Sequence, residues 1–278
     1  MELQLGFSPC PNDTFIFDAM LHGKIDTEGI TFIPVIEDVE TLNQKALQQE
    51  LAITKLSYHA FAHLVDKYIL LDAGSALGFG VGPLLISKNK IENIEDKIAN
   101  LKIGIPGKLT TANFLLNIAF PQAQQKVEMV FSEIENALIN EEIDLGLIIH
   151  ENRFTYAAKG LHKVIDLGSF WEQKTGSAIP LGGIVMSRKY DKQTLDKVNR
   201  IMASSVEFAM KNPLSSASFV KQHAQEMEES VMVKHIQLYV NKYSLNLGVE
   251  GRKAVSTLLD SAVAQGLILP FTHPIFID

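Results

Sequence analysis

Residues 82–88 read Gly-Pro-Leu-Leu-Ile-Ser-Lys, and residues 183–188 read Gly-Ile-Val-Met-Ser-Arg. Both stretches begin with glycine, continue as an apolar strand and end in serine followed by a cation. The segment between them has about the size of a small α/β unit. We therefore predict two crossovers that form a hinge, with residues 1–88 and 187–278 in a first lobe and residues 89–186 in a second. Two unrelated buried strands are the alternative, which the likeness by itself does not exclude.

Strand and helix patterns alternate along most of the chain. Strands are predicted at residues 3–7 and 101–105, and helices follow them at residues 14–21 and 111–119. This alternation is typical of an α/β sheet whose strands are buried on both faces. From residue 191 to residue 266 the pattern is mostly helical. The predicted fold is therefore α/β, with two lobes, two crossover hinge strands and a helical C-terminal third.

The composition excludes several classes of protein. The 278 residues are 46% hydrophobic, and 25 basic against 32 acidic residues give a net charge of −7. A chain this acidic lacks the electrostatic footprint of a nucleic-acid binder, and no basic run indicates a membrane surface. Cys10 is the single cysteine, so no internal disulfide can form. Neither a signal peptide nor an apolar run of roughly 20 residues is evident, so we expect a cytoplasmic protein.

Two polar strand ends lie in the first lobe, and ligands of open α/β sheets collect at such ends. In residues 8–14 two prolines fix the backbone, and Asn12, Asp13 and Thr14 are potential helix caps. A second strand, at residues 51–54, leads to a helix predicted to start at Ser57. Lys55 and the free N–H groups of that helix start would suit a carboxylate. A plain Ser57 N-cap explains the same residues.

Two more polar strand ends lie in the second lobe. Residues 107–113 place a glycine, a lysine and the hydroxyls of Thr110 and Thr111 at a helix start, which predicts an anion site but not a P-loop. The apolar strand at residues 145–149 ends directly in His150. The ordinary pKa of histidine, about 6.5, suits proton transfer near neutrality. A hydrogen-bonded structural histidine is the alternative.

The remaining patterns are weaker. Ser132 and Glu135 have the spacing of a capping box. His59 and His63 are four residues apart on a predicted helix, but no third ligand lies nearby, so we predict a packed or solvated face and no metal site. Trp171 could stack on an aromatic ligand or pack within the second lobe.

Seven short motifs then occur in a characteristic order. They are Ser-Pro-Cys-Pro-Asn-Asp-Thr-Phe at 8–15, Thr-Lys-Leu-Ser at 54–57, Leu-Thr-Thr-Ala at 109–112, Ile-His-Glu at 149–151, Trp-Glu at 171–172, Thr-Gly at 175–176 and Ile-Pro-Leu-Gly-Gly at 179–183. Together they resemble the 1,4-dihydroxy-6-naphthoate synthase family of the futalosine route to menaquinone. The resemblance implies a type II periplasmic-binding-protein-like fold used by a cytoplasmic enzyme. It also implies cleavage of a carbon–carbon bond in cyclic dehypoxanthinyl futalosine, without metal or organic cofactor.

The resemblance also implies roles for individual residues. His150 becomes the proton acceptor in a cleft between the lobes. The expected substrate-binding residues, with Asn12 added from the first strand end, are Lys55, Leu56, Ser57, Thr110, Thr111 and Asn12. The substrate's aryl carboxylate is expected at one of two helix starts, near Ser57 or near Thr110. The expected partner is thus a small anionic carboxylate, not nucleic acid or membrane. The sequence leaves the oligomeric state open, with a homodimer as the candidate because compact cytoplasmic proteins of this kind are often dimers.

Three other functions fit the same predicted fold. A non-catalytic solute-binding protein would need no titratable histidine at a strand end. The related enzyme that dehydrates chorismate is expected to share the fold, but the Ser-Pro-Cys-Pro-Asn-Asp and Ile-His-Glu motifs favour the naphthoate synthase. A ligand-sensing regulatory domain would be expected to carry a DNA-binding module, and none is evident in the sequence.

Overall fold

The structure is a computed structural model, and it describes residues 1–224 and 228–277. Its strands are β1 (Glu2–Phe7), β2 (Thr31–Ile36), β3 (Ile53–Ser57), β4 (Tyr68–Leu70), β5 (Ala76–Gly78), β6 (Leu84–Ser87), β7 (Ile103–Ile105), β8 (Lys126–Glu128), β9 (Leu145–Ile148), β10 (His162–Asp166) and β11 (Ile179–Ser187).

The helices are α1 (Pro11–Leu21), α2 (Val39–Leu47), α3 (Tyr58–Ala62), α4 (Ile94–Lys97), α5 (Thr111–Ala119), α6 (Ile134–Ile139), α7 (Asn152–Thr155), α8 (Leu167–Thr175), α9 (Lys192–Lys211), α10 (Ala217–His223), α11 (Glu229–Tyr239), α12 (Lys242–Leu245) and α13 (Gly248–Ala264). Short 3₁₀ helices occupy Ile98–Asn100, Phe131–Glu133 and Tyr156–Lys159. Within the two described stretches, no helix combines the length and the apolarity needed to cross a membrane.

The chain folds into two compact units, each built on its own sheet. The first unit comprises Met1–Gly78 and Pro180–Asp278, and the second comprises Phe79–Ile179. The predicted boundaries, 88/89 and 186/187, differ from these. Strand β6 belongs to the second sheet and β11 to the first, whereas the sequence prediction placed β6 in the first lobe and most of β11 in the second.

The two sheets have the same strand arrangement. The first has the order β2-β1-β3-β11-β4, with β5 paired to β11, and the second has the order β10-β6-β9-β7-β8. In the first sheet β1 runs parallel to β2 and β3, and β11 runs antiparallel to β3 and β4. In the second sheet β7 runs parallel to β8 and β9, and β6 runs antiparallel to β9 and β10. The likeness between residues 82–88 and 183–188 therefore reflects equivalent strands.

The core of the first unit joins the sheet to the C-terminal helices. Buried side chains of β1 and α1, among them Leu5, Phe7 and Phe17, belong to one apolar cluster with one face of α9. The contributing residues of α9 recur every three or four positions, with Ile201 and Met202 adjacent, which places them on a single face of the helix: Val198, Ile201, Met202, Val206 and Ala209. The predicted α/β class and the helical C-terminal part are confirmed.

The second unit contains a close approach between two backbone segments. Gly82 precedes β6, and Gly168 lies in the first turn of α8. A Cβ built on Gly168 would stand 2.7 Å from Cα and 2.8 Å from N of Gly82. These are backbone atoms that cannot rotate away, so the packing of α8 against β6 requires glycine at this position.

We predict that Gly168→Ala lowers the free energy of unfolding by about 1–3 kcal/mol, as overpacking does. Urea denaturation of the purified variant measures the change. Ser169→Ala, one position further along α8, adds no atom and serves as the control. Wild-type stability in Gly168→Ala would contradict the close approach.

Candidate active site

The four predicted strand ends form two equivalent pairs, one pair in each unit. In the first sheet the adjacent parallel strands β1 and β3 end together, with Gly6 opposite Thr54. In the second sheet the adjacent parallel strands β7 and β9 end together, with Gly104 opposite Gly146. Each pair of loops therefore meets at the carboxyl edge of its own sheet, where ligands of open α/β sheets collect.

The loop after β1 leads into α1 three residues earlier than predicted. The helix begins at Pro11, and Cys10 is the N-cap, without a side-chain capping bond. The prediction that Asn12, Asp13 and Thr14 cap this helix is therefore wrong. Proline has the φ that the first helical position requires and lacks the N–H that would be unsatisfied there, so the helix starts at Pro11.

Asp13 is the centre of a buried polar cluster in the first unit. Its carboxylate accepts hydrogen bonds from Ser8 N at 3.1 Å, Ser8 Oγ at 2.6 Å and Asn12 Nδ2 at 2.8 Å. It also forms an ion pair with Lys55 Nζ. The side chains of Lys55 and Asp13 are 7% and 0% exposed. Burial of these charges is tolerable because they face each other and the carboxylate accepts further hydrogen bonds.

A buried histidine extends the Asp13 cluster through Asn12. The Asn12 amide donates through Nδ2 to Asp13, so its Oδ1 faces the other way, where His235 Nε2 lies at 2.9 Å. An amide oxygen only accepts, so His235 must carry its proton on Nε2. His235 comes from α11 and is fully buried. The cluster thus links the N-terminal loop to a helix 223 residues away in sequence.

An asparagine of α2 forms two hydrogen bonds with the last residue of β3. Ser57 N donates to Asn43 Oδ1 at 3.0 Å, and Asn43 Nδ2 donates to Ser57 Oγ at 3.2 Å. Of the free N–H groups predicted at this helix start, that of Ser57 is therefore already bonded, and Ser57 makes no side-chain cap to α3. Leu56 is fully buried and lies opposite Gly183 of β11. Helix α3 has only five residues, so its dipole is small.

Tyr58, directly after β3, is an uncharged buried group. Its hydroxyl lies 2.8 Å from Ser75 Oγ. Burial raises the pKa of the Tyr58 phenol well above its ordinary value, because the phenolate would lack solvation; the Ser75 hydrogen bond lowers the pKa by less. The phenol therefore stays protonated and holds the start of α3 to the segment before β5.

In the second unit the loop after β7 forms a well-defined helix start. Thr110 is the N-cap of α5; its hydroxyl accepts from Asn113 N at 3.2 Å and donates to Gly107 O at 2.8 Å. Asn113 Nδ2 donates to Lys108 O at 2.8 Å, which fixes the rest of the loop. Thr111 is the first residue of α5 and is buried. The helix starts at the predicted residue, and its first-turn N–H groups point out of its amino end.

His150 follows β9 in a strained turn at the same sheet edge. Its φ is 56°, in the left-handed region that residues other than glycine seldom adopt. The half-buried imidazole meets the ring of Phe131 edge to face, with centroids 4.9 Å apart. Phe131 lies shortly after β8, the other neighbour of β7. Loops after β7, β8 and β9 thus bring Thr110, Phe131 and His150 to one edge of the sheet.

A buried carboxylate supports the segment after His150. Glu135 Oε2 accepts from Asn152 Nδ2 at 2.7 Å and from Lys159 Nζ at 2.6 Å. The predicted capping box of Ser132 and Glu135 is wrong, because Glu133 is the N-cap of α6 and makes no side-chain cap. Arg153 of α7 donates to Gly82 O and pairs with Asp166, at 3.6 Å between Nη2 and Oδ2.

Trp171, His59 and His63, also noted in the sequence, each lie beside another aromatic ring. Trp171 is fully buried, and the centroid of its ring lies 6.4 Å from that of Phe114. The rings of His59 and His63 are in contact, with centroids 5.4 Å apart. Over residues 1–224 and 228–277, no three His, Cys, Asp or Glu side chains are grouped to hold a metal ion.

Comparison with known proteins shows where the chain belongs. A profile described as menaquinone biosynthesis matches residues 3–264. The chain belongs to the menaquinone biosynthesis family. Within this family, the 1,4-dihydroxy-6-naphthoate synthase of Thermus thermophilus is 42% identical over 275 residues, which cover 99% of each chain. The family resemblance found in the sequence motifs is confirmed.

Solved structures support the fold. A crystal structure of an Archaeoglobus fulgidus protein is 36% identical, covers 96% of this chain and 98% of its own, and superposes with a TM-score of 0.90. The periplasmic aliphatic sulphonate binding protein of Escherichia coli is 11% identical, with a TM-score of 0.66 over 97% of this chain and 89% of its own. The second likeness concerns the fold alone, and it confirms the predicted periplasmic-binding-protein-like fold for this member of the menaquinone biosynthesis family.

Four residues that sequence reasoning missed join these strand ends: Asn43, Phe131, Asn152 and His235. Each contacts a residue that is distant in sequence and is brought close only by the fold, and none belongs to a recognisable motif. Glu135 stood out only through the spacing of a capping box that the structure does not contain.

Proposed function

We propose that this protein is a cofactor-independent carbon–carbon lyase that converts cyclic dehypoxanthinyl futalosine to 1,4-dihydroxy-6-naphthoate in menaquinone biosynthesis. The observation that carries the proposal is the full-length match, at 42% identity, to a 1,4-dihydroxy-6-naphthoate synthase. The arrangement at the edge of the second sheet supports it, because a histidine and a helix start follow adjacent parallel strands.

The proposed anchor for the substrate carboxylate is the amino end of α5, at Thr110 and Thr111. Backbone N–H groups and the helix dipole favour an anion at such an end. The Thr110 hydroxyl already bonds Gly107 O and Asn113 N, so we assign the binding mainly to backbone donors of the first turn. The alternative anchor at Ser57 is less favoured, because Asn43 occupies its N–H.

The proposed base is His150. In its neutral form the imidazole accepts a hydroxyl proton from the sugar-derived part of the substrate, and the electron pair of that O–H bond forms a carbonyl there as the carbon–carbon bond breaks. The electron pair of the broken carbon–carbon bond moves to the ring carbonyl, whose oxygen takes the proton back from the imidazolium. All substrate atoms end in the naphthoate or in the sugar fragment, so neither oxidant nor reductant is consumed. Formation of an aromatic ring makes the cleavage favourable, and the protein contributes mainly a positioned base and exclusion of water.

In the first unit, Asn12, Lys55, Leu56 and Ser57 are proposed as substrate-binding residues, as the sequence predicts. Asp13 neutralises Lys55, so we assign to Lys55 a hydrogen-bonding contact rather than a free positive charge. Leu56 is buried within β3 and would contribute through its backbone.

The test is conversion by purified protein. We expect incubation with cyclic dehypoxanthinyl futalosine to release 1,4-dihydroxy-6-naphthoate, identified by mass spectrometry, in buffer treated with a chelator. Binding without turnover would contradict the proposal and favour a solute-binding protein. Dehydration of chorismate in a parallel incubation would instead favour the related enzyme of the same route.

The candidate homodimer and the cytoplasmic location stay predictions. Light scattering coupled to size-exclusion chromatography measures the first, and fractionation of cells that produce the protein measures the second. Neither is needed for the proposed chemistry.

A further inference from the structure

We propose that Glu135 is a positioning residue for His150. It acts through Asn152, and its role is to fix the turn that presents the imidazole. The inference rests on the proposed role of His150 as the base. It adds that catalysis also needs a buried carboxylate, on another element, to hold the turn at His150.

The contacts of Glu135 indicate this function. The side chain is 1% exposed, and its Oε2 atom accepts from Asn152 Nδ2 and Lys159 Nζ. Asn152 is the first residue of α7, two positions after His150, and is itself buried. The Glu135–Asn152 bond is thus a short link from α6 to the turn. Lys159, at the end of the following 3₁₀ helix, supplies the opposite charge.

The conformation of His150 explains why the turn needs a link. A left-handed φ at a residue with a Cβ is unfavourable and persists only where the surroundings enforce it. Asn152 is bonded to Glu135, and Arg153 is bonded to Gly82 O and paired with Asp166. The backbone leaving His150 is therefore tied to α6, to the segment before β6 and to the end of β10.

The same segment also touches the imidazole. Phe131 meets the His150 ring edge to face, and Phe131 and Glu135 lie only four residues apart in the stretch that forms the 3₁₀ helix and α6. One rigid segment thus contacts the side chain of the base through Phe131 and its turn through Glu135. When the Glu135–Asn152 bond is lost, the turn after His150 is no longer held to α6. The contact with Phe131 alone then does not fix the imidazole, which shifts from its position.

The experiment compares two substitutions at one position. Glu135→Gln keeps an oxygen that can accept from Asn152, and Lys159 is 46% exposed and can turn to solvent. Glu135→Leu keeps the volume and removes the acceptor. For Glu135→Leu we expect kcat to fall about 10–100-fold with little change in KM, because a misplaced base affects the chemical step more than binding. For Glu135→Gln we expect kcat to be restored to within about threefold of wild type.

Two further variants keep the test decisive. Asn152→Ala cuts the same link from the other side and leaves the Glu135–Lys159 pair in place, so it should reproduce the loss of kcat if Glu135→Leu does not fold. Asp144→Asn perturbs the opposite end of β9, where Asp144 accepts from Lys102 N at 2.7 Å, and should leave kcat unchanged.

A spectroscopic measurement separates positioning from general destabilisation. The ring protons of His150 lie against Phe131, so their NMR shifts contain a ring-current contribution. We expect this contribution to be lost in Glu135→Leu and retained in Glu135→Gln. Normal kcat and unchanged His150 shifts in a folded Glu135→Leu protein would overturn the inference. Normal turnover in a protein without the His150 imidazole would instead overturn the proposed function, so the two failures are distinguishable.

Discussion

Replacing His150 with asparagine is expected to lower kcat about 10²–10⁴-fold, the range typical of a lost general base. KM should change little, because the proposed carboxylate anchor is the amino end of α5 rather than the imidazole. Single-turnover and steady-state assays with cyclic dehypoxanthinyl futalosine measure both quantities.

Asparagine is the informative replacement because of the backbone at this position. His150 has a φ of 56°, and asparagine tolerates the left-handed region better than alanine does. His150→Asn therefore removes the titratable ring without adding backbone strain. His162→Asn, at the half-buried start of β10 in the same unit, is the matched control and should keep wild-type turnover. A His150→Asn enzyme within about threefold of wild-type kcat would contradict the assignment of the base.

The positions of the strand ends could be predicted from the sequence because parallel strands buried on both faces are continuous apolar runs. Residues 145–149 are such a run, and β9 occupies Leu145–Ile148. Helix α5 was also predicted to the residue, because its N-cap bond, from Asn113 N to Thr110 Oγ1, is local. Local hydrogen bonds leave a signature in the sequence.

The end of β3 shows why other elements were misplaced. A lysine is not expected inside a buried strand, so the predicted strand ends at Thr54, before Lys55. In the structure β3 continues to Ser57, because Asp13, 42 residues away, neutralises Lys55 within the fold. The bond between His235 and Asn12 spans 223 residues and has no local signal either. Lobe boundaries were displaced for a similar reason, since periodicity does not reveal which sheet a buried strand joins.

The second large effect is expected at the Asp13–Lys55 pair and concerns stability. Asp13→Asn leaves an oxygen that can accept from Ser8 but removes the charge facing Lys55. Lys55→Met removes the ammonium and leaves the buried carboxylate. Each single substitution should lower the free energy of unfolding by about 3–5 kcal/mol, the usual cost of leaving one buried charge uncompensated.

The double variant Asp13→Asn/Lys55→Met decides whether this loss comes from the pair. It buries no unmatched charge, so its destabilisation should be much smaller than the sum of the two single losses in a urea-denaturation cycle. The exposed pair of Lys211 and Glu207 on α9 is the control, and breaking it should have a far smaller effect. Additive losses at Asp13 and Lys55 would mean that the two side chains do not compensate each other. The continuation of β3 through Lys55 would then need another cause, because the uncompensated ammonium would oppose it.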